Sequence, residues 1–395
     1  MFLVNGMKLL LYNNLSIDLS NKTFKHKNPY TIGIEEEYML CDQNTGNFVH
    51  KASEIMDLVD LDIKDRFSFE LLESEIEVNT RICDNVNDSI KEITKLRNIT
   101  RDLGSKIGYK IGISGTHPTA LPEEQIFIEN ESYSWVTKQL SHYAGRNITF
   151  SIHIHIAVKD ENYAIHIANS LRQWIAPLLS LSANSPFFGG EKTGMRSSRT
   201  MQFGIFPKTN IPMYFKDFNS YTNLVNKYIE SDSIQKPRQI WWKIRPHMNY
   251  GTIEFRMCDV QRSLAKTKML VAICQALVYQ SSLDFENNVL KEKFNIEYLN
   301  DALWKAARFN MNVKIIDPAN NKITTMKNQI IKMQKYIKKA LKYFGNENIN
   351  FEIDNIIVNG TECDEQINIY NKKGLEYLKL YLIDSVDYEE RISNV

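Results

Sequence analysis

The chain has 395 residues, with 48 Lys and Arg against 47 Asp and Glu, a formal net charge of +1. That balance gives no global field to draw in nucleic acid or a membrane surface, and no apolar run approaches the ~20 residues that a membrane span needs. With 43% apolar and 24% charged residues, the composition is that of a soluble globular protein of one large domain or two modest ones. The five cysteines, Cys41, Cys83, Cys258, Cys274 and Cys363, are scattered and form no CxxC pair. They point to a reducing, cytoplasmic setting and away from structural zinc.

Residues 1–28 are polar and unpatterned and read as a loose arm or edge strand. The apolar patch Leu9–Tyr12 lacks a basic leader and a cleavage site, so no signal peptide is expected. Thr31–Leu40 (TIGIEEEYML) alternates as a β-strand, and Asn44-Thr45-Gly46 turns the chain. Residues 51–60 read as a short helix, and Phe69–Thr80 (FELLESEIEVNT) as a second alternating strand. In Asp84–Gly108, Ile90, Ile93, Leu96, Leu103 and Ile107 recur at helical spacing, with Asn87 or Asp88 as the N-cap. Tyr109–Ser114 is a short strand and Gly115–Pro118 a loop. A helix around Ser132–Leu140 leads into the third alternating strand, Ser151–Val158 (SIHIHIAV). Asn162–Ser182 reads as one long helix with a kink at Pro177. Asn184–Arg199 is a long Gly- and Ser-bearing loop with Lys192, Arg196 and Arg199, the kind of segment that carries binding residues. Phe203–Lys216, with Pro207 and Pro212, is a further loop, and Ser220–Glu230 is helical. Trp241–Pro246 precedes the fourth alternating strand, Thr252–Cys258 (TIEFRMC). Ser263–Ser282, Asp301–Asn310, Met326–Phe344 and Lys372–Val386 are expected helices.

Strand side chains alternate between faces, so each of the four strands has an oily side and a charged one. The charged sides carry Glu35 and Glu37; Glu75, Glu77 and Asn79; His153 and His155; Glu254 and Arg256. Carboxylates gathered on one face repel each other unless cations lie between them, and hard divalent ions with oxygen ligands suit such a face. The four strands are therefore expected in one sheet whose charged face holds Mg²⁺ and a polyphosphate. The fold class is α+β: a curved, mainly antiparallel sheet with helices on its outer face. Strand spacing is too irregular for a doubly wound fold. A zinc hydrolase is the rival suggested by His-x-His, but no further histidine sits on a clear alternating strand. A non-catalytic nucleotide-binding protein is the second rival.

Five motifs in register carry a resemblance. GIEEEY in the first strand, the ELL-x4-E-x2-T frame of Glu70–Thr80 and the His-Ile-His strand are three. NSPFF-G-x3-TG-x2-S-x-R at Asn184–Arg199 and RPH-x3-GTIEFR-x2-D at Arg245–Asp259 follow, and AAR at Ala306–Arg308 adds to them. The chain resembles the carboxylate–amine ligases, the group of type-2 glutamate–cysteine ligases, over roughly residues 29–310. The resemblance implies a glutamine-synthetase-like fold whose sheet is the floor of the active site. It also implies ATP with two or three Mg²⁺ ions, Mn²⁺ being able to substitute, and amide formation through an acyl phosphate. Glutamate and cysteine are the leading substrate pair, as in glutathione biosynthesis. Glu35, Glu37, Glu77, His153 and Glu254 match the metal positions. Arg256 and Arg199 are expected to act on the transferring phosphoryl group and bind nucleotide, with His155 as a further nucleotide contact. Glu70 and Glu75 stay open, as do Arg245 and His247, between ligand contact and surface. Trp241-Trp242 stays open between an adenine platform and the core. Residues 29–345 are expected to be the catalytic domain, with 346–395 an extension packed on it. Small-molecule acid and amine are the expected partners, with no nucleic acid, no membrane, and a homo-oligomer left open.

Overall fold

The first alternating stretch becomes the centre of the sheet. In the computed structural model, which describes residues 28–129, 131–206 and 208–389 (side chains of 131–133 excepted), β1 (Ile32–Cys41) runs down the middle. It pairs on one edge with β3 (Glu75–Asn79), and on the other with β5 (Ile152–Ala157) and then β4 (Lys110–Gly112). With β2 (Phe67–Phe69), β8 (Ile244–His247) and β9 (Thr252–Phe255) the sheet has, among the described residues, seven strands in the order β2-β3-β1-β5-β9-β8, β4 pairing with β1. Every ladder in it is antiparallel. The expected N-terminal arm, all but Asn28, and Pro207 lie outside the described residues.

Three expectations are corrected. Phe69–Thr80 is not one strand but the end of β2, a turn and β3. Leu71 and Leu72 are both buried, which breaks the period of two that a continuous strand needs. Residues 244–247, of which 244–246 were read only as part of the approach to the fourth alternating strand, form a strand of their own; β8 is the sheet edge, where Pro246 is tolerated. The long helix at 162–182 is two, α4 (Glu161–Leu171) and α5 (Ile175–Ser182), joined by a tighter turn at Arg172–Trp174. Pro177 has no N–H for the carbonyl of Gln173, so the break falls one turn before it.

The remaining helices are α1 (Ala52–Leu58), α2 (Val86–Ile107), α3 (Glu131–Leu140), α6 (Ser198–Phe203), α7 (Phe218–Glu230) and α8 (Leu264–Glu286). After them come α9 (Ile296–Phe309), α10 (Met326–Tyr343), α11 (Ile349–Asn359) and α12 (Glu362–Asp384). The α2 cap is Asn85, whose side chain accepts from Asp88 N, rather than Asn87 or Asp88 itself. Two small hairpins, β6 (Phe187–Phe188) with β7 (Glu191–Lys192), and β10 (Lys314–Ile316) with β11 (Ile323–Thr325), were not anticipated. Nor were α6, α11 and the first half of α12, which bends at Gly374 where φ is 82°.

One face of the sheet is sealed. Ile34, Tyr38, Ile76, Val78, Ile154, Ile156, Ile253 and Phe255 are essentially inaccessible, covered by α2, α4 and α8. Glu36 stands among them and is also fully buried. Arg97 on α2 grips both its oxygens, Nε to Oε2 at 2.9 Å and Nη2 to Oε1 at 2.8 Å, and Tyr38 Oη donates to Oε2 at 2.6 Å. The guanidinium also donates to the carbonyls of Gln261, Arg262 and Asp387. A buried ion pair requires this saturation of its hydrogen bonds.

Candidate active site

The opposite face carries the charged side chains, and the register brings them together. Glu35 faces His153 across β1–β5 and Glu37 faces Glu77 across β1–β3. His155 faces Glu254 across β5–β9, and Glu254 faces Arg245 across β8–β9. His153 is the hub. Its Nδ1 is 2.9 Å from Glu35 Oε2 and its Nε2 is 2.8 Å from Ser151 Oγ. Ser151 in turn donates to Glu37 from both N, at 2.5 Å, and Oγ, at 2.7 Å. His155 Nε2 is 3.2 Å from Glu35 Oε1, while its Nδ1 meets Thr252 Oγ1 at 2.9 Å.

Among the described residues, two sets of donors lie close enough to share an ion. Glu35, His153 and Glu254 form one; Glu37, Glu77 and His153 form the other. Within each, the ligand atoms are all within 4.8 Å of one another. Carboxylate oxygens with an imidazole suit a hard divalent cation with positions left for other oxygens. The electrostatics agree. Burial pushes the Glu77 carboxyl well above the usual range, and Glu35, Glu70 and Glu37 push it further. Glu70 and Glu75 are raised in the same way, by burial first and then by the neighbouring carboxylates. These groups repel each other as they stand, which is the signature of a set that a cation would relieve. For Glu35, burial works upward but the His155 and His153 imidazoles outweigh it and hold it low. For Glu254, burial likewise works upward and the Arg245 and Arg256 guanidiniums outweigh it.

The charged face is therefore divided. Carboxylates occupy the β1–β3 side and guanidiniums the β8–β9 side, meeting at Glu254. Arg245 Nε is 2.5 Å from Glu254 Oε2, and Arg256 Nη1 holds Oε1. Over this boundary lies a cavity of about 630 Å³, lined by Glu35, Glu37, Glu70, Glu75, Glu77, His153, Arg245 and Arg256 and walled by Phe203, Phe206 and Trp241. An adjoining cavity of about 670 Å³ shares Glu35, Ser68, Glu77 and Tyr250 with it and continues past His155 to Arg66 and Asn249.

Of the expected residues, Glu35, Glu37, Glu77, His153 and Arg256 line the first cavity and His155 the second. Glu254 lies beneath, fully buried between the two arginines. Arg199 lines neither; it sits behind β9, donating to the carbonyls of Arg256 and Met257 at 3.0 and 3.3 Å, 3.9 Å from Asp259. Glu70 and Glu75, left open by the sequence, line the first cavity, as do Arg245 and His247. His247 stacks on Tyr250 at 4.3 Å between ring centroids. The tryptophan pair splits: Trp241 lines the cavity and Trp242 packs on Phe215 and Tyr221. Arg196 is paired with Asp364 outside the site, and His166 with Glu292. Lys243, unremarked in the sequence, is buried beside Arg256. Burial, with Arg199 and Arg256 adding repulsion, brings its ammonium down to about 7. The alternation Lys243, Arg245, His247 is the signal that would have revealed this fifth charged strand.

Solved structures share this fold, an antiparallel sheet with helices packed on one face. A glutamate–cysteine ligase of Francisella tularensis, solved in complex with AMP, is similar with a TM-score of 0.70 over 94% of this chain and 91% of that one, at 12% identity. A bifunctional glutathione synthetase of Pasteurella multocida has a TM-score of 0.67 over 91% of this chain and 52% of that one, at 14% identity. The family model described as glutamate–cysteine ligase family 2 (GCS2) matches residues 31–379, and the chain belongs to that family. The match runs past residue 310, where legible motifs end. A protein of Solibacter usitatus, provisionally named glutamate–cysteine ligase 2, is 31% identical over 360 residues, 91% of this chain and 94% of its own. One of Herpetosiphon aurantiacus, named in the same way, is 30% identical over 346 residues, 88% and 90% of the two chains.

Proposed function

We propose that the protein is an ATP- and Mg²⁺-dependent carboxylate–amine ligase, with the glutamate side chain as the leading acid and cysteine as the leading amine. The observation that carries this reading is the divided face. A carboxylate set fitted to divalent ions adjoins a guanidinium set fitted to phosphoryl oxygens, and both border one cavity. Membership of a ligase family supports it. Glu35, Glu37, Glu77, His153 and Glu254 would hold the ions, which would neutralise the polyphosphate. Arg256, at the cavity wall, is placed to donate to the transferring phosphoryl group, where a bidentate cation stabilises charge. Arg199 would hold the backbone of Arg256 and Met257 through its two terminal nitrogens, with Nε left over. His155 borders the second cavity, where a nucleotide or amino-acid contact is open to it.

In this scheme a carboxylate oxygen attacks the terminal phosphorus and the bond to the bridging oxygen breaks, releasing ADP. The amine then attacks the acyl carbon, its proton is lost, and phosphate leaves. The walls of Phe203, Phe206 and Trp241 would keep water from the acyl phosphate. The buried free cysteines fit a reducing, cytoplasmic setting. A screen of amino acids and amines with glutamate, read by phosphate release and product mass, tests the proposal. Phosphate release that needs both an acid and an amine is expected; release indifferent to the amine would make the protein an uncoupled ATPase.

A further inference from the structure

Three cations converge on one aromatic ring. Lys243 Nζ lies 5.3 Å from the Phe203 ring centroid, Arg199 Cζ 5.8 Å and Arg256 Cζ 5.9 Å. Lys243 precedes β8, and its carbonyl accepts from Arg256 N, so the two residues sit opposite each other across the sheet edge. Like charges directly opposite destabilise a ladder, and a buried ammonium without a partner is costlier still. Lys243 nonetheless has no hydrogen-bond partner for Nζ among the described residues, and Arg199 Nε and Arg256 Nε are also unpartnered. The carboxylate that bears on the Lys243 ammonium, Asp259, already accepts from Asn184 N, Ser185 Oγ and Ser197 Oγ. Phe203 and Arg256 line the cavity and Lys243 does not, while the Lys243 ammonium lies 5.3 Å from the centroid of the Phe203 ring. The local excess of positive charge, with three unused N–H groups, matches a tetrahedral oxyanion.

We propose that Lys243, with Arg256 and Arg199, forms a phosphate pocket beneath Phe203, reached when that ring turns aside. Resting on the ligase reading above, the pocket takes the terminal phosphoryl group of the nucleotide or the inorganic phosphate split from it.

The test is binding of inorganic phosphate, ADP and β,γ-imido-ATP, each with Mg²⁺, to the full chain and to Lys243→Met, followed by calorimetry and thermal melting. The wild-type protein is expected to be stabilised by phosphate and not by chloride at equal ionic strength. In Lys243→Met, phosphate affinity should fall at least tenfold while ADP affinity is unchanged. If the nucleotide's own terminal group occupies the pocket, β,γ-imido-ATP weakens in parallel; if free phosphate alone does, it does not. Lys243→Gln repeats the measurement should the methionine variant fail to fold. A wild-type protein indifferent to phosphate with and without ADP overturns the proposal, as does unchanged phosphate affinity in a folded variant. None of these readouts needs turnover. Loss of phosphate binding in a protein that joins no acid to any amine would condemn the reaction and leave the pocket.

Discussion

Glu77 and Glu254 both belong to the proposed ion sites, yet their surroundings give opposite predictions. Glu77 is raised by burial and by neighbouring carboxylates. A carboxyl whose folded value is raised costs stability once pH exceeds its unfolded value. Glu77→Gln is therefore expected to raise the melting temperature in metal-free buffer at pH 7 and to shrink the further rise that Mg²⁺ gives the wild type. A lower melting temperature with an undiminished Mg²⁺ effect would take Glu77 out of the ion site. Glu254 is fully buried between Arg245 and Arg256. Glu254→Gln removes the counter-charge of two buried guanidiniums and is expected to cost about 3–5 kcal/mol, along with all ligation. Urea midpoints and turnover measured on the same samples check both.

At the scale of elements, β1 shows what could be read and what could not. Its period of two gave the charged face, because alternation is local. The role of Glu36 was invisible, because the side chain that makes it tolerable, Arg97, is 61 positions away on a helix. Arg97→Met should cost about 3–5 kcal/mol by stranding that carboxylate, and adding Glu36→Gln should recover part of the loss; denaturant midpoints of the three variants test it. The β2–β3 turn was misread where adjacent buried leucines overrode simple alternation, and β8 was passed over as the approach to the fourth strand. The loop after β4 carries its own signature. His117 Nδ1 accepts from the amides of Thr119 and Ala120 and Nε2 donates to Gly46 O at 2.8 Å, an arrangement that needs neutral imidazole. Burial, against the Gly46 hydrogen bond, brings it down to about 4. The unfolded chain takes up the proton near 6.5, so this stability is complete above pH 6.5 and is lost as pH falls toward 4, a difference of about 3 kcal/mol. His117→Gln should flatten that acid limb, seen by comparing urea midpoints at pH 7 and 4.5.

Across the whole molecule, the last fifty residues were the least legible, because their partners are the most distant. Leu378, Leu382 and Ile383 are buried, Glu362 and Glu365 hold Arg262, and Gln366 donates to Asn184. A chain ending at Gly345 is expected to be insoluble or unfolded by circular dichroism; a folded, active product would show that the catalytic part stands alone. The carbonyl of Asp387 completes the shell around Arg97, 290 positions from it. During synthesis the guanidinium and Glu36 are already off the ribosome while that acceptor is still untranslated, at ~5–20 residues per second an interval of tens of seconds. The nascent chain must carry an incomplete interior for that time, so a stalled or prematurely terminated product would present itself to chaperones and proteases.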